Sequence, residues 1–99
     1  MLYAILARDI PESRSLRSAA RPRHLEYVRE LQRQGRLILA GPLPATDSPA
    51  PGPAGMRGSL IVAEFESLHA ARAWSNSDPY TQAGVFESVS VEPFIEVRL

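Results

Sequence analysis

Two ionisable side chains, His24 and Asp78, could together perform acid/base chemistry. His24 comes one helical turn before Val28 and two before Leu31, so the imidazole is predicted on the apolar side of a helix. A free imidazole exchanges protons near neutral pH, and a carboxylate against one ring nitrogen fixes the tautomer and raises the basicity of the other. Asp78 could supply that carboxylate.

The same two residues also have a purely structural interpretation. His24 could be a hydrogen-bonded histidine at the edge of the core, and Asp78 could cap a turn that Pro79 begins. The residues alone leave both interpretations open. The second histidine, His69, falls on the solvent side of a predicted helix, and we assign it no role.

Three further side chains could bind a substrate. Arg21, at the start of a helical segment, could pair with an anionic group, and Tyr80 could donate a hydrogen bond. Glu87 interrupts the apolar parity of the last predicted strand. Each has an ordinary alternative, since Arg21 could face solvent, Tyr80 could serve packing, and Glu87 could mark a strand end.

The composition excludes several kinds of chemistry. The 99-residue chain has no cysteine, and all eleven of its basic residues are arginine. A thiolate nucleophile, an iron–sulfur cluster, a Schiff-base lysine and a Walker-type phosphate loop are therefore excluded. The histidines are far apart in sequence and no carboxylates pair at ligand spacing, so we expect no metal. No Gly-x-Gly-x-x-Gly sequence follows a strand, so we expect no cofactor.

Net charge and hydropathy limit the possible binding partners and the cellular compartment of the protein. Eleven acidic residues balance the eleven basic ones, so no net field attracts nucleic acid or an anionic membrane. The apolar residues 1–7 meet Arg8 and Asp9 too early for a signal peptide, and no segment approaches membrane length. We expect a cytoplasmic protein in which residues 1–99 form a single domain.

Hydropathy patterns predict four strands and two helices. The predicted strands are residues 2–7, 36–40, 59–65 and 85–99. The first helix, residues 12–34, should divide in two at Pro22, and the second should begin at an N-cap, Ser67. The second strand should end at Gly41 and Pro42, where a proline-rich loop of residues 42–57 begins; it could be a binding loop or a tolerated insertion.

The order β-α-β-β-α-β is typical of the α+β, ferredoxin-like fold, in which two helices cover one face of an antiparallel sheet. The first strand is apolar on both of its faces, with Leu2, Ala4 and Leu6 on one side and Tyr3 and Ile5 on the other. Two helices can cover only one face. We therefore expect a homodimer in which two sheets pack face to face.

Motifs along nearly the whole chain resemble the YciI-like (YCII-related) family. They are Arg21-Pro22-Arg23-His24-Leu25, Gly35-Arg36-Leu37-Ile38-Leu39-Ala40-Gly41-Pro42, Gly58-Ser59, Phe65-Glu66-Ser67, Ala73-Trp74, Asp78-Pro79-Tyr80, Ala83-Gly84-Val85-Phe86 and Pro93-Phe94. The resemblance implies a subunit that pairs into a dimeric α+β barrel, with His24 and Asp78 as an active-site pair. Related barrels act as isomerases, monooxygenases and dehalogenating lyases on small, often aromatic, substrates.

Two classes of function follow. The first is a cofactor-independent enzyme, a lyase or isomerase that moves a proton on a small organic anion, with His24 as acid/base and Asp78 orienting it. The second is a non-catalytic module that binds a small ligand in the same dimer cleft. An RNA-binding sheet of this topology is set aside, because the chain lacks the aromatic strand motif and a basic surface.

Overall fold

A computed structural model describes all 99 residues. The chain forms β1 (Leu2–Asp9), α1 (Arg14–Arg33), β2 (Leu37–Pro44), β3 (Met56–Glu64), α2 (Leu68–Asn76), α3 (Pro79–Gln82) and β4 (Phe86–Phe94). The strands build one antiparallel sheet in the order β2-β3-β1-β4, with the helices on one face. The predicted ferredoxin-like α+β fold is confirmed. No helix has both the length and the apolar character needed to cross a membrane.

Helix α1 runs without interruption through Pro22, so the predicted division into two helices was wrong. Proline leaves the carbonyl of Ser18, four residues earlier, without its helical donor. Both residues are exposed, which leaves that carbonyl on the side of the helix where water can reach it. Ala20 before the proline and His24 after it belong to the same buried face, and that packing favours a single helix.

The edge strands also differ from their predicted bounds. Strand β2 continues through Gly41 and Pro42 because it lies at the sheet edge, where a missing N–H removes no ladder bond. The proline-rich loop is therefore shorter than predicted and spans residues 45–55, with a 3₁₀ turn at Gly52–Ala54. Strand β4 ends at Phe94 rather than continuing to residue 99, and residues 95–99 form no regular structure.

The core lies between the sheet and the helices. Tyr3 and Ile5 of β1 pack there with Ile61 of β3 and with Val28 and Leu31 of α1. Each such side chain stabilises the fold by roughly 1.5 to 3 kcal/mol through burial. The opposite sheet face is also apolar, and no layer of the same chain covers it. It carries Leu2, Ala4 and Leu6 of β1, Leu60 of β3, and Leu39 of β2, all of them at least partly exposed.

Helix α2 begins as predicted. The Ser67 hydroxyl accepts a hydrogen bond from the Ala70 backbone N–H at 3.0 Å. Ala71 is fully buried against the core, and Trp74 packs beside it on the same face. The helix ends at Asn76, two residues before the turn that carries Asp78.

Candidate functional site

His24 and Asp78, which are 54 residues apart in the chain, are joined by a hydrogen bond. The imidazole Nδ1 lies 2.7 Å from Asp78 Oδ1, and both side chains are buried. An ionised carboxylate only accepts, so Nδ1 carries the proton and donates it to Asp78. Nε2 makes no hydrogen bond with the chain, and it is the nitrogen free to accept a proton.

Asp78 also has the capping role that the sequence offered as an alternative. Its Oδ1 accepts the backbone N–H of Tyr80 at 2.9 Å and so caps α3, with Pro79 as the first helical residue. One oxygen atom therefore starts the helix and orients the imidazole. Asp78 therefore has the geometry that both interpretations require.

Tyr80 is stacked on His24. The two ring centroids are 3.8 Å apart and the planes differ by 13°. Phe86 packs against Tyr80 in an edge-to-face arrangement, with the ring centroids 6.0 Å apart. Burial raises the pKa of the Tyr80 hydroxyl, against the opposing effect of the nearby Arg17 charge. Tyr80 is therefore a neutral hydrogen-bonding group at neutral pH, and its ring restrains the plane of the imidazole.

A buried arginine completes the cluster. The guanidinium of Arg17 donates from Nε and Nη2 to the two carboxylate oxygens of Asp9, at 2.6 and 2.9 Å. Nη2 also donates to the Gly58 carbonyl at 2.7 Å and to the Ser59 hydroxyl at 2.8 Å. The guanidinium carbon lies 4.9 Å from the Tyr80 ring centroid. These contacts leave Arg17 little freedom to move.

A cleft of about 560 Å³ opens beside these residues, between α1, the edge of the sheet and the loop of residues 45–55. Arg14, Arg17, Arg21, His24 and Tyr80 contribute to its wall. No aspartate or glutamate lines it, because Asp9 and Asp78 lie behind Arg17 and His24. The wall is therefore positively charged and suits an anionic ligand.

The structure brings four of the five predicted site residues together. His24, Tyr80 and Arg21 line the cleft. Asp78 does not line it, and its carboxylate accepts the hydrogen bond from His24. Glu87 is exposed on β4 and does not line the cleft. His69 is exposed, in agreement with the expectation that it faces solvent.

The sequence analysis missed Arg17 and its partner Asp9. Arg17 lies seven residues before His24 in α1 and therefore shares its face. Asp9 also continues the inward parity of Tyr3, Ile5 and Ala7 in β1. Both periodicities were present in the sequence.

A second depression of about 600 Å³ lies near the amino terminus, between the end of β3 and α2. Arg36, Glu64 and Glu66 contribute charges of both signs to its wall, and Trp74 and Phe65 contribute aromatic surface. No histidine lines it. The first cleft is therefore the better candidate for acid/base chemistry, although it is slightly smaller.

Comparisons with known proteins agree with the fold. The family model described as the YCII-related domain matches residues 1–95. The protein YciI of Escherichia coli O6:H1 (strain CFT073) is 54% identical over 97 residues, which cover 98% of this chain and 99% of that protein. An uncharacterized protein of Haemophilus influenzae is 46% identical over the same length.

One similar solved structure is that of an enzyme. The 5-chloro-2-hydroxyhydroquinone dehydrochlorinase of Burkholderia phenoliruptrix AC1100, in complex with 2,5-dihydroxybenzoquinone, superposes with a TM-score of 0.85 and 28% sequence identity. The match covers 98% of this chain and 96% of the dehydrochlorinase.

Proposed function

The chain belongs to the YCII-related family, and on that premise we propose that it is a small cofactor-independent enzyme, a lyase or isomerase acting on a small organic anion. The hydrogen bond between His24 and Asp78, at the wall of a cleft without acidic residues, carries the proposal. This arrangement provides a proton acceptor, a carboxylate that orients it, and a positively charged surface for the substrate.

The first step is a proton transfer to His24. Nε2 accepts a proton from a hydroxyl group of a ring substrate or from a carbon next to a carbonyl group; the O–H or C–H bond breaks, and its electron pair delocalises over the conjugated system. Asp78 holds the Nδ1–H and stabilises the imidazolium that forms. An isomerase returns the proton to another carbon. A lyase acting on a chlorinated hydroquinone returns it to the ring carbon that carries chlorine, and loss of a second hydroxyl proton then expels chloride.

The cleft favours an anionic substrate. Arg14 and Arg21 line it and take part in none of the ion pairs of the chain, while Arg17 is held by Asp9. Arg21 is exposed at the cleft and can pair with a carboxylate or an ionised hydroxyl. The quinone bound by the structurally similar dehydrochlorinase supports a planar ring compound as the substrate class.

We also propose that the protein acts as a homodimer. The uncovered sheet face carries a continuous apolar surface from β2 to β1, and a second copy would bury it at about 25 cal/mol per Å². Sedimentation velocity at micromolar concentration tests this. A stable monomer with intact secondary structure would refute it, and Leu6→Glu, at the centre of the face, should dissociate the dimer.

Chloride release from 5-chloro-2-hydroxyhydroquinone tests the proposed activity. We expect release by the wild-type protein, a loss of at least about 100-fold in His24→Gln, and a smaller loss of at least about tenfold in Asp78→Asn. The asparagine retains an oxygen that can accept from both His24 and the Tyr80 N–H, so it removes the charge and leaves the helix cap. Asp78→Ala removes both and serves as the comparison.

The outcomes separate an enzyme from a binding module. Chloride release that His24→Gln leaves unchanged contradicts the proposed acid/base role. Saturable binding of 2,5-dihydroxybenzoquinone by the wild type, without chloride release, would support a non-catalytic ligand-binding module instead.

A further inference from the structure

Two opposite charges lie on the uncovered sheet face, among its apolar side chains. Arg8 follows Leu6 by two residues in β1 and therefore points to the same side of the sheet. Glu92 of β4 pairs with Ala4 of β1 and shares that side. Both residues are exposed, and neither takes part in an ion pair of the chain.

The neighbouring strands supply no counter-charge to Arg8. Its partners in the register are Gly58 of β3, which has no side chain, and Ser88 of β4. A second copy that covers this face would remove water from the guanidinium. Because a charge taken out of water without a partner is costly, the covering surface must bring an anion to Arg8.

Glu92 has the opposite need. Strand β4 is at the sheet edge, so Ala4 is the only residue that pairs with Glu92 in the sheet. Arg72 of α2 borders the same shallow depression on the helix side of the sheet, but the two side chains form no ion pair. A surface that covers Glu92 must therefore bring a cation.

One more acidic residue, Glu64, lies at the border of this face. It is the last residue of β3 and pairs with Leu2. It also contributes to the wall of the depression near the amino terminus, together with Arg36. Glu64 therefore remains at the rim when the face is covered and needs no partner from the covering surface.

A second copy of the chain carries both of the required charges. The contacts of a two-fold interface occur in pairs, so a contact from Arg8 to Glu92 of the partner subunit is accompanied by the reverse contact. Arg8 pairs with Ser88, four residues from Glu92, so the two charges are about 13 Å apart along the strands. A two-fold axis that crosses the strands exchanges these two levels, whereas an axis parallel to the strands would set the two Arg8 side chains at the same level.

We propose that Arg8 and Glu92 of the partner subunit form two reciprocal ion pairs, which fix the angle at which the two sheets cross. The inference rests on the homodimer proposed above and adds the contacts that orient it. The two ion pairs also restrict association to subunits with the same arrangement of charges, because a subunit with the charges exchanged would meet like charges at both places.

Charge reversal at each position tests the contact. Arg8→Glu places two acidic residues, and Glu92→Arg two basic residues, at each contact of the homodimer. By sedimentation equilibrium, we expect the dissociation constant of either variant to rise at least about tenfold. The double variant Arg8→Glu/Glu92→Arg restores opposite charges, and its dissociation constant should return to within about threefold of the wild-type value.

A mixture of the two single variants distinguishes contacts between subunits from a contact within one subunit. In the heterodimer of Arg8→Glu with Glu92→Arg, both contacts again join opposite charges. We therefore expect the mixture to associate at least about tenfold more tightly than either variant alone. An ion pair within one subunit would be restored in the double variant but not in the mixture.

Arg72→Glu is the matched control, because it changes the net charge by the same amount as Arg8→Glu and lies on the helix side of the sheet. It should leave the dissociation constant unchanged, and circular dichroism verifies that each variant is folded. A dimeric wild type that the single variants leave unchanged, or a mixture no tighter than its components, overturns the ion pairs and leaves the homodimer. Equal weakening by Arg72→Glu also overturns them, since it shows an effect of net charge alone. A wild type that stays monomeric refutes the homodimer and the ion pairs together, and the chloride-release assay tests the proposed activity separately.

Discussion

The ion pair between Asp9 and Arg17 should show strong coupling in unfolding experiments. Arg17→Gln leaves the Asp9 carboxylate, whose side chain is 1% exposed, with the Ser13 hydroxyl as its remaining side-chain partner. Leaving a buried charge without its ionic partner lowers the free energy of unfolding by about 3 to 5 kcal/mol. That is a large part of the 5 to 15 kcal/mol that typically stabilises a domain of this size.

The partner variant should cost less. In Asp9→Asn, Arg17 keeps its contacts with the Gly58 carbonyl and the Ser59 hydroxyl, so the cation is not left alone. The double variant removes both charges, and we expect it to lie within about 2 kcal/mol of the wild type.

Urea unfolding of the four proteins at neutral pH measures the coupling energy directly. We expect the double variant to be more stable than Arg17→Gln, with an interaction energy of at least about 2 kcal/mol. If the two single effects simply add, the ion pair is not the buried, mutually dependent unit that its geometry indicates.

Three further predictions concern fold and pH dependence. Gly58→Ala should destabilise the protein by about 1 to 3 kcal/mol in urea, because the added Cβ would collide with the Ala7 carbonyl oxygen; an unchanged midpoint would contradict this. Ser67→Ala should cost about 1 kcal/mol through loss of the hydrogen bond from the Ala70 N–H, whereas Ser67→Asp should largely retain stability. Burial raises the pKa of Tyr80 above its ordinary value of 10.0, because the folded state favours the neutral hydroxyl. The neutral hydroxyl therefore stabilises the fold below pH 10.0, and this stabilisation is lost as pH rises through the folded-state pKa. Between pH 9 and 11, about the range of tyrosine ionisation, the urea midpoint of Tyr80→Phe should therefore fall less than that of the wild type; parallel curves would contradict the prediction.

Element order and the sheet were predictable because hydropathy periodicity is local. The apolar run of β1 and the capping serine of α2 are patterns within a few residues, and both the strand and the cap are found in the structure. The bounds of β2 were not predictable in the same way. Pro42 is tolerated there because β2 is an edge strand, and edge position follows from the arrangement of all four strands.

The site was predictable where a pattern or a family resemblance singled out a residue. His24 was singled out by its apolar helical neighbours, whereas the place of Asp78 before Pro79 predicted only a cap, and its pairing with His24 came from the family resemblance. The Arg17 network was harder, because its partners come from three separate segments: Asp9 ends β1, while Gly58 and Ser59 lie in β3. Such a network is visible only after the sheet has set the register between them.

The placement of Arg17 and His24 on one continuous helix has an evolutionary consequence. One residue inserted or deleted between them would turn one group away from the other by about 100° around the helix axis. Homologues that keep both side chains on one face of the helix should therefore differ between these two positions by substitution and never in length. The loop of residues 45–55 joins two neighbouring strands and carries no such constraint, so differences in chain length should accumulate there and reshape the mouth of the cleft.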